Sequence, residues 1–148
     1  ELCHRLRRRG VRLVMHPELQ VGHIFRFDLW RSMKNAYRKS RWWTLYSLRN
    51  KDYMADSGTA SVALKSNVGL WMVASGSLAV YLFTGSAIAV GVCLGSMAVN
   101  AFLSRRLLAA WCRSGGGPAF AAGCILYYHL LYPIPVALGS IRGLLPHR

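Results

Sequence analysis

Residues 68–103 read VGLWMVASGSLAVYLFTGSAIAVGVCLGSMAVNAFL, and no Asp, Glu, Lys or Arg occurs between Lys65 and Arg105. The hydrocarbon core of a bilayer is about 30 Å thick, which roughly 20 apolar residues cross as a helix. The run is too long for one crossing and long enough for two. Thr84-Gly85-Ser86 lies near its middle, where small residues and a glycine permit a tight reversal. The stretch therefore predicts a hairpin of two membrane helices, about 68–83 and 87–103, in preference to a buried helix of a soluble core.

Outward from the hairpin, the charge is uneven. Fourteen of the nineteen Lys and Arg, and all five acidic residues, precede residue 68. A basic head beside membrane helices is expected on the cytoplasmic side and is drawn to anionic lipid head groups. Clustered cations also attract nucleic-acid phosphates. Basic segments beside membranes are common, however, so nucleic acid is not the expected partner. Arg105, Arg106 and Arg113 follow the second helix while the turn at 84–86 is uncharged, which places the head and this basic connection on one side.

Gly115-Gly116-Gly117-Pro118 predicts a flexible break before a third apolar run, 119–138, which carries His129, Pro133 and Pro135 beside Tyr127, Tyr128 and Tyr132. The prolines remove backbone donors and are expected to kink or break a helix there, leaving open whether the segment spans or re-enters. His129 reads as a wetted or hydrogen-bonded anchor. Small residues such as Gly91 and Gly95 suit close helix packing, and Asn100 suits a hydrogen bond across helices. Cys3, Cys93, Cys112 and Cys124 have neither disulfide-framework nor zinc-site spacing.

Residues 25–49 mix aromatic and basic side chains: Phe25, Phe27, Trp30, Tyr37, Trp42, Trp43 and Tyr46 among Arg26, Arg31, Lys34, Arg38, Lys39, Arg41 and Arg49. Asp28 can cap a helix starting near Leu29, with Leu29, Met33, Ala36 and Tyr37 as a stripe facing a membrane or a neighbouring domain. The composition is that of an amphipathic interface helix. Residues 50–67 predict a loop, with a turn and cap at Asp56-Ser57-Gly58-Thr59.

The beginning, ELCHRLRRRGVRLVMHPELQVGH, places Leu2, Cys3 and Leu6 on one helical face, Gly10 as a C-cap, and short strands at 11–15 and 19–21. This order of helix, glycine, strand, Pro-Glu and Val-x-His resembles the closing part of the catalytic domain of a family 2 glycosyltransferase of GT-A fold. Glu1-Leu2 and Arg5-Leu6 would match that family's (Asp/Glu)-Leu-x-x-Arg-Leu helix. The resemblance implies that the general base, commonly in a Glu-Asp pair, lies immediately before Glu1. It also implies that His23 helps to hold a divalent metal, magnesium or manganese, on the nucleotide diphosphate.

Arg38-Lys39-Ser40-Arg41-Trp42 further resembles the (Gln/Arg)-x-x-Arg-Trp motif of processive membrane relatives similar to cellulose and hyaluronan synthases. By that resemblance Arg38 and Arg41 grip the diphosphate through planar donor forks and Trp42 stacks on an acceptor sugar. The Val-x-His segment departs from the processive pattern. A simpler lipid-acceptor branch, in which the helix only anchors the domain, stays open.

The expected fold is thus mainly α and membrane-embedded. It comprises the tail of a GT-A α/β domain (1–27), an interface helix and loop (28–67), and about three transmembrane helices in 68–148. The expected protein is the C-terminal fragment of a multi-pass glycosyltransferase of a bacterial plasma membrane, moving sugar from a nucleotide sugar to a lipid or glycan and inactive as a fragment. The alternative is a non-enzymatic small membrane protein whose basic aromatic head binds anionic lipid or a protein partner.

Overall fold

A computed structural model describes residues 5, 6, 9–12, 14, 18, 28–52 and 61–145. Among these the fold is mainly helical and contains no strand: α1 (Leu29–Asn50), α2 (Val62–Thr84), α3 (Ala87–Leu103), α4 (Arg105–Arg113), α5 (Gly117–Leu126), a π-helical turn (Tyr127–Leu131) and α6 (Pro133–Leu144). Two helices, Val62–Thr84 and the continuous Gly117–Leu144, are long and apolar enough to cross a membrane. Ala87–Leu103 with Arg105–Arg113 makes a third if this pair, bent by 62°, is counted as one span.

The hairpin forms where the uncharged run predicts it. Gly85 caps α2 at φ 65°, its N–H donating to the Tyr81 carbonyl. Only a residue without Cβ takes that left-handed position cheaply. Ser86 follows, and α3 starts at Ala87 and packs back along α2. The first helix begins at Val62, earlier than residue 68, because the Ser61 hydroxyl accepts from the Leu64 N–H at 3.2 Å and caps it. Lys65, Ser66 and Asn67 are thereby helical.

Two segments differ from the sequence expectation for identifiable reasons. The basic connection after α3 is itself a helix, α4, with Leu107, Leu108 and Trp111 at helical spacing between its arginines. The prolines of the third run do not break it. Pro133 offers no N–H and its ring displaces the carbonyl of the preceding turn, so the chain widens into a π turn with Tyr132 N–H donating to Tyr127 carbonyl at 2.8 Å. Helix α6 then starts on Pro133 itself.

Asp28 caps α1 as expected, accepting from the Arg31 N–H at 2.7 Å. The buried face of that helix is not a large apolar stripe. It consists of Ala36, Thr44 and Ser47, with Ser40 between them, and it lies against Gly139 and Gly143 of α6. Gly139 faces the Tyr37 carbonyl and the Ser40 hydroxyl, and Gly143 faces the Arg41 carbonyl and Thr44. Both numbers advance by four together, so the helices run parallel, and small residues bring the backbones close. Where α1, α2 and α6 meet, Ala36, Val68, Val136 and Ala137 form a small core, with Leu64, Trp71 and Tyr132 packed on it.

Of the beginning of the chain, Arg5 and Leu6 are helical and Gly10 has φ 76°, with Val11 N–H donating to the Leu6 carbonyl at 3.0 Å, the expected glycine C-cap. Val11, Arg12 and Val14, expected in a strand, lie in neither helix nor strand. The 19–21 strand, the Asp56–Thr59 turn, Glu1 and His23 lie outside the described residues.

Candidate functional site

Helix α1 has two working faces besides the one committed to α6. Arg38, Arg41 and Trp42, at i, i+3 and i+4, share the face turned away from Ala36, Ser40 and Thr44. Arg38 is exposed, and Trp42 keeps 61% of its surface accessible. The Arg41 guanidinium carbon lies 5.4 Å from the Trp42 ring centroid, a cation–π arrangement. The Arg41 Nε is buried with no hydrogen-bond partner. The structure thus brings the three motif residues together on one face, with Arg38 and Trp42 exposed and Arg41 half-buried between them.

The cleft next to α1 takes different residues. It has a volume of 650 Å³ and is bounded by α1, α2, the π turn and α6. From α1 it receives Lys39 and Trp43, which sequence reasoning passed over in favour of their neighbours Arg38 and Trp42. From α2 it receives Lys65, whose ammonium lies 4.6 Å from the Trp43 ring centroid. The Tyr127 hydroxyl pairs with Ser32 Oγ at 2.8 Å on the cleft wall, fixing the π turn to α1. Leu64, Val68, Gly69, Met72 and Val136 supply apolar lining, and among the described residues no acidic one lines the cleft. A signal for this set exists in the sequence: Ser32, Asn35, Lys39 and Trp43 recur at three- and four-residue spacing.

A second cavity, of 430 Å³, lies between the hairpin and the α5 end of the third segment. Asn100, Ser96, Trp71 and His129 line it. Asn100 donates to Asn67 Oδ1 at 2.7 Å, and Asn67 donates to the Tyr128 carbonyl at 3.0 Å, so a buried polar chain ties three apolar segments together. The π turn leaves that carbonyl available. The His129 ring packs edge-on to Tyr128 at 5.1 Å, and its Nε2 is buried with no hydrogen-bond partner among the described residues.

For the divalent metal implied by the family resemblance, no group of three His, Cys, Asp or Glu among the described residues could hold such an ion. The described residues therefore do not by themselves supply that site. No family model, curated protein or solved structure matches this chain.

Proposed function

We propose that this chain is the membrane-embedded C-terminal region of a glycosyltransferase that moves a sugar from a nucleotide sugar to a lipid or glycan acceptor. The observation that carries the reading is the shared outward face of Arg38, Arg41 and Trp42 on a helix whose opposite face is locked to α6. Such a face fits an edge of a donor and acceptor site completed by a catalytic domain. The fork of an arginine suits a diphosphate, and an indole suits a sugar ring. In this reading α2, α3 and the third segment hold the helix at the bilayer surface, with the basic head cytoplasmic in a bacterial plasma membrane. Glu1 would follow directly on the general base, and His23 would join metal ligands supplied from upstream.

The coding DNA upstream of the Glu1 codon tests this. An in-frame domain with an Asp-x-Asp pair and an acidic pair abutting Glu1 is the expected result. A start or stop codon within a few codons would exclude it.

A second reading, a non-enzymatic membrane protein that binds anionic lipid, is favoured by one observation, the two lysines on different helices that line the same cleft. The two readings are compatible in one molecule, because they use different faces of α1.

A further inference from the structure

We infer that the cavity between the hairpin and the third segment binds one neutral lipid through a free hydroxyl, which donates to Asn100 Oδ1 and meets His129 Nε2 while the lipid's hydrocarbon fills the remaining space. The inference rests on the membrane embedding proposed above and not on glycosyl transfer. Among the described residues that line this cavity none belongs to α1, so it is separate from the face that carries Arg38 and Trp42.

The buried hydrogen-bond chain fixes what the ligand has to offer. The Tyr128 carbonyl can only accept, so Asn67 turns its amide nitrogen to it at 3.0 Å and its oxygen toward Asn100. That oxygen also only accepts, so Asn100 gives it an amide N–H at 2.7 Å and keeps its own Oδ1 for the other side. Asn100 is 6% exposed, and this Oδ1 is buried with no hydrogen-bond partner among the described residues. A bare carbonyl in apolar surroundings is costly, and only a donor relieves it. A carboxylate or a carbonyl has no proton to give, and an ammonium carries a heavy desolvation cost. An uncharged O–H fits.

His129 lines the same cavity, and its Nε2 is likewise buried without a partner among the described residues. A hydroxyl donates once and accepts as well, so it serves Asn100 with its proton and a protonated Nε2 with its lone pairs.

Water could serve those two atoms but not the whole space. The cavity measures 430 Å³, within the range of small-ligand sites, and each buried water needs about two to four polar partners. Leu70, Leu78, Ile125, Leu126 and Leu130 supply hydrocarbon around the rest of it. Leu78 and Leu126 are also exposed, so the mouth lies on the apolar surface and admits a lipid from the bilayer.

Cys93 gives a report of occupancy, because this free thiol lines the cavity, whereas the free thiol of Cys112 is exposed on α4 and does not.

The test uses the full chain purified in detergent, with retained lipid counted by native mass spectrometry. Hexadecanol, 1,2-dioleoylglycerol and cholesterol are each compared with their own methyl ethers, which separates a single-chain, a two-chain and a polycyclic source of the hydroxyl. One molecule of at least one alcohol is expected to be retained about tenfold better than its ether, the effect of one buried hydrogen bond. The same alcohol should protect Cys93 from N-ethylmaleimide and leave Cys112 labelling unchanged. Asn100→Ala should abolish the preference for alcohol over ether, His129→Phe should lower alcohol retention about fivefold, and Lys34→Gln should change neither. The comparison with the ether needs no substitution, so it decides even where a variant folds poorly. Equal retention of alcohol and ether for all three lipids, an unprotected Cys93, or a preference that survives in folded Asn100→Ala would overturn the inference. A chain that stays soluble without detergent would overturn the membrane embedding, and the inference with it.

Discussion

The Asn100 amide donates to Asn67 Oδ1 at 2.7 Å across the hairpin, and Asn67, only 1% exposed, passes its own amide to the Tyr128 carbonyl of the third segment. Asn67 thus makes two links and Asn100 one. In apolar surroundings an interhelical hydrogen bond contributes roughly 0.6 to 1.7 kcal/mol. Asn67→Ala is expected to lower unfolding stability in detergent by about 2 kcal/mol and Asn100→Ala by about 1 kcal/mol. Equal and negligible effects in a denaturant titration would remove the polar chain as a fastening.

The α1–α6 seam makes a sharper steric prediction. A Cβ at Gly143 would lie 2.7 Å from the Arg41 carbonyl and 2.8 Å from Thr44 Cβ, and one at Gly139 would strike the Tyr37 carbonyl and Ser40 Oγ. Each Gly→Ala change here should cost about 1–3 kcal/mol through overpacking. Gly91→Ala, where a Cβ meets nothing within 4 Å, should be neutral or gain up to about 1 kcal/mol from helix propensity. Thermal midpoints of the three variants decide it.

Caps carry a third expectation. Asp28→Ala removes the side chain that accepts from Arg31 N–H at 2.7 Å and should cost about 1 kcal/mol. Gly85→Ala forces a Cβ into the left-handed region at φ 65° and should cost roughly 1–2 kcal/mol. Both variants should keep their helical circular dichroism at low temperature and unfold earlier.

Parts of this fold are written plainly in the sequence because a single physical term dominates them. Thirty-nine residues without charge leave little besides apolar helices, and Gly85 marks a place where the chain reverses cheaply. Asp28 stands before Leu29, so the start of α1 is equally plain. What is hidden depends on partners distant in sequence. Ser40, Thr44 and Ser47 look like a solvated stripe until Gly139 and Gly143 arrive against that face. Leu29, at the start of the amphipathic stripe, is 58% exposed, open to a membrane or a neighbouring domain.

The candidate site divides in the same way. Arg38, Arg41 and Trp42 share a face because their spacing requires it, and spacing is local. That Lys39 meets Lys65 across a cleft is a matter of how α1 sits on α2 and α6, which no periodicity reports. The π turn at Tyr127–Leu131 is hidden for a related reason. Proline announces a disturbance at residue 133, but whether the helix breaks or widens depends on Asn67 and Ser32, which hold Tyr128 and Tyr127 in place.

The measurement that bears most directly on the glycosyltransferase reading is sugar transfer by the intact gene product in its own membranes. These are supplied in turn with radiolabelled nucleotide sugars and either magnesium or manganese, and the product is separated into lipid-extractable and polymeric fractions. The account predicts that one donor labels one fraction, and that Arg41→Ala and Trp42→Ala each lower the rate at least about tenfold, a transition-state loss of about 1.4 kcal/mol. Lys34→Gln should leave the rate unchanged. No transfer from any donor, or transfer indifferent to both motif substitutions, would contradict it.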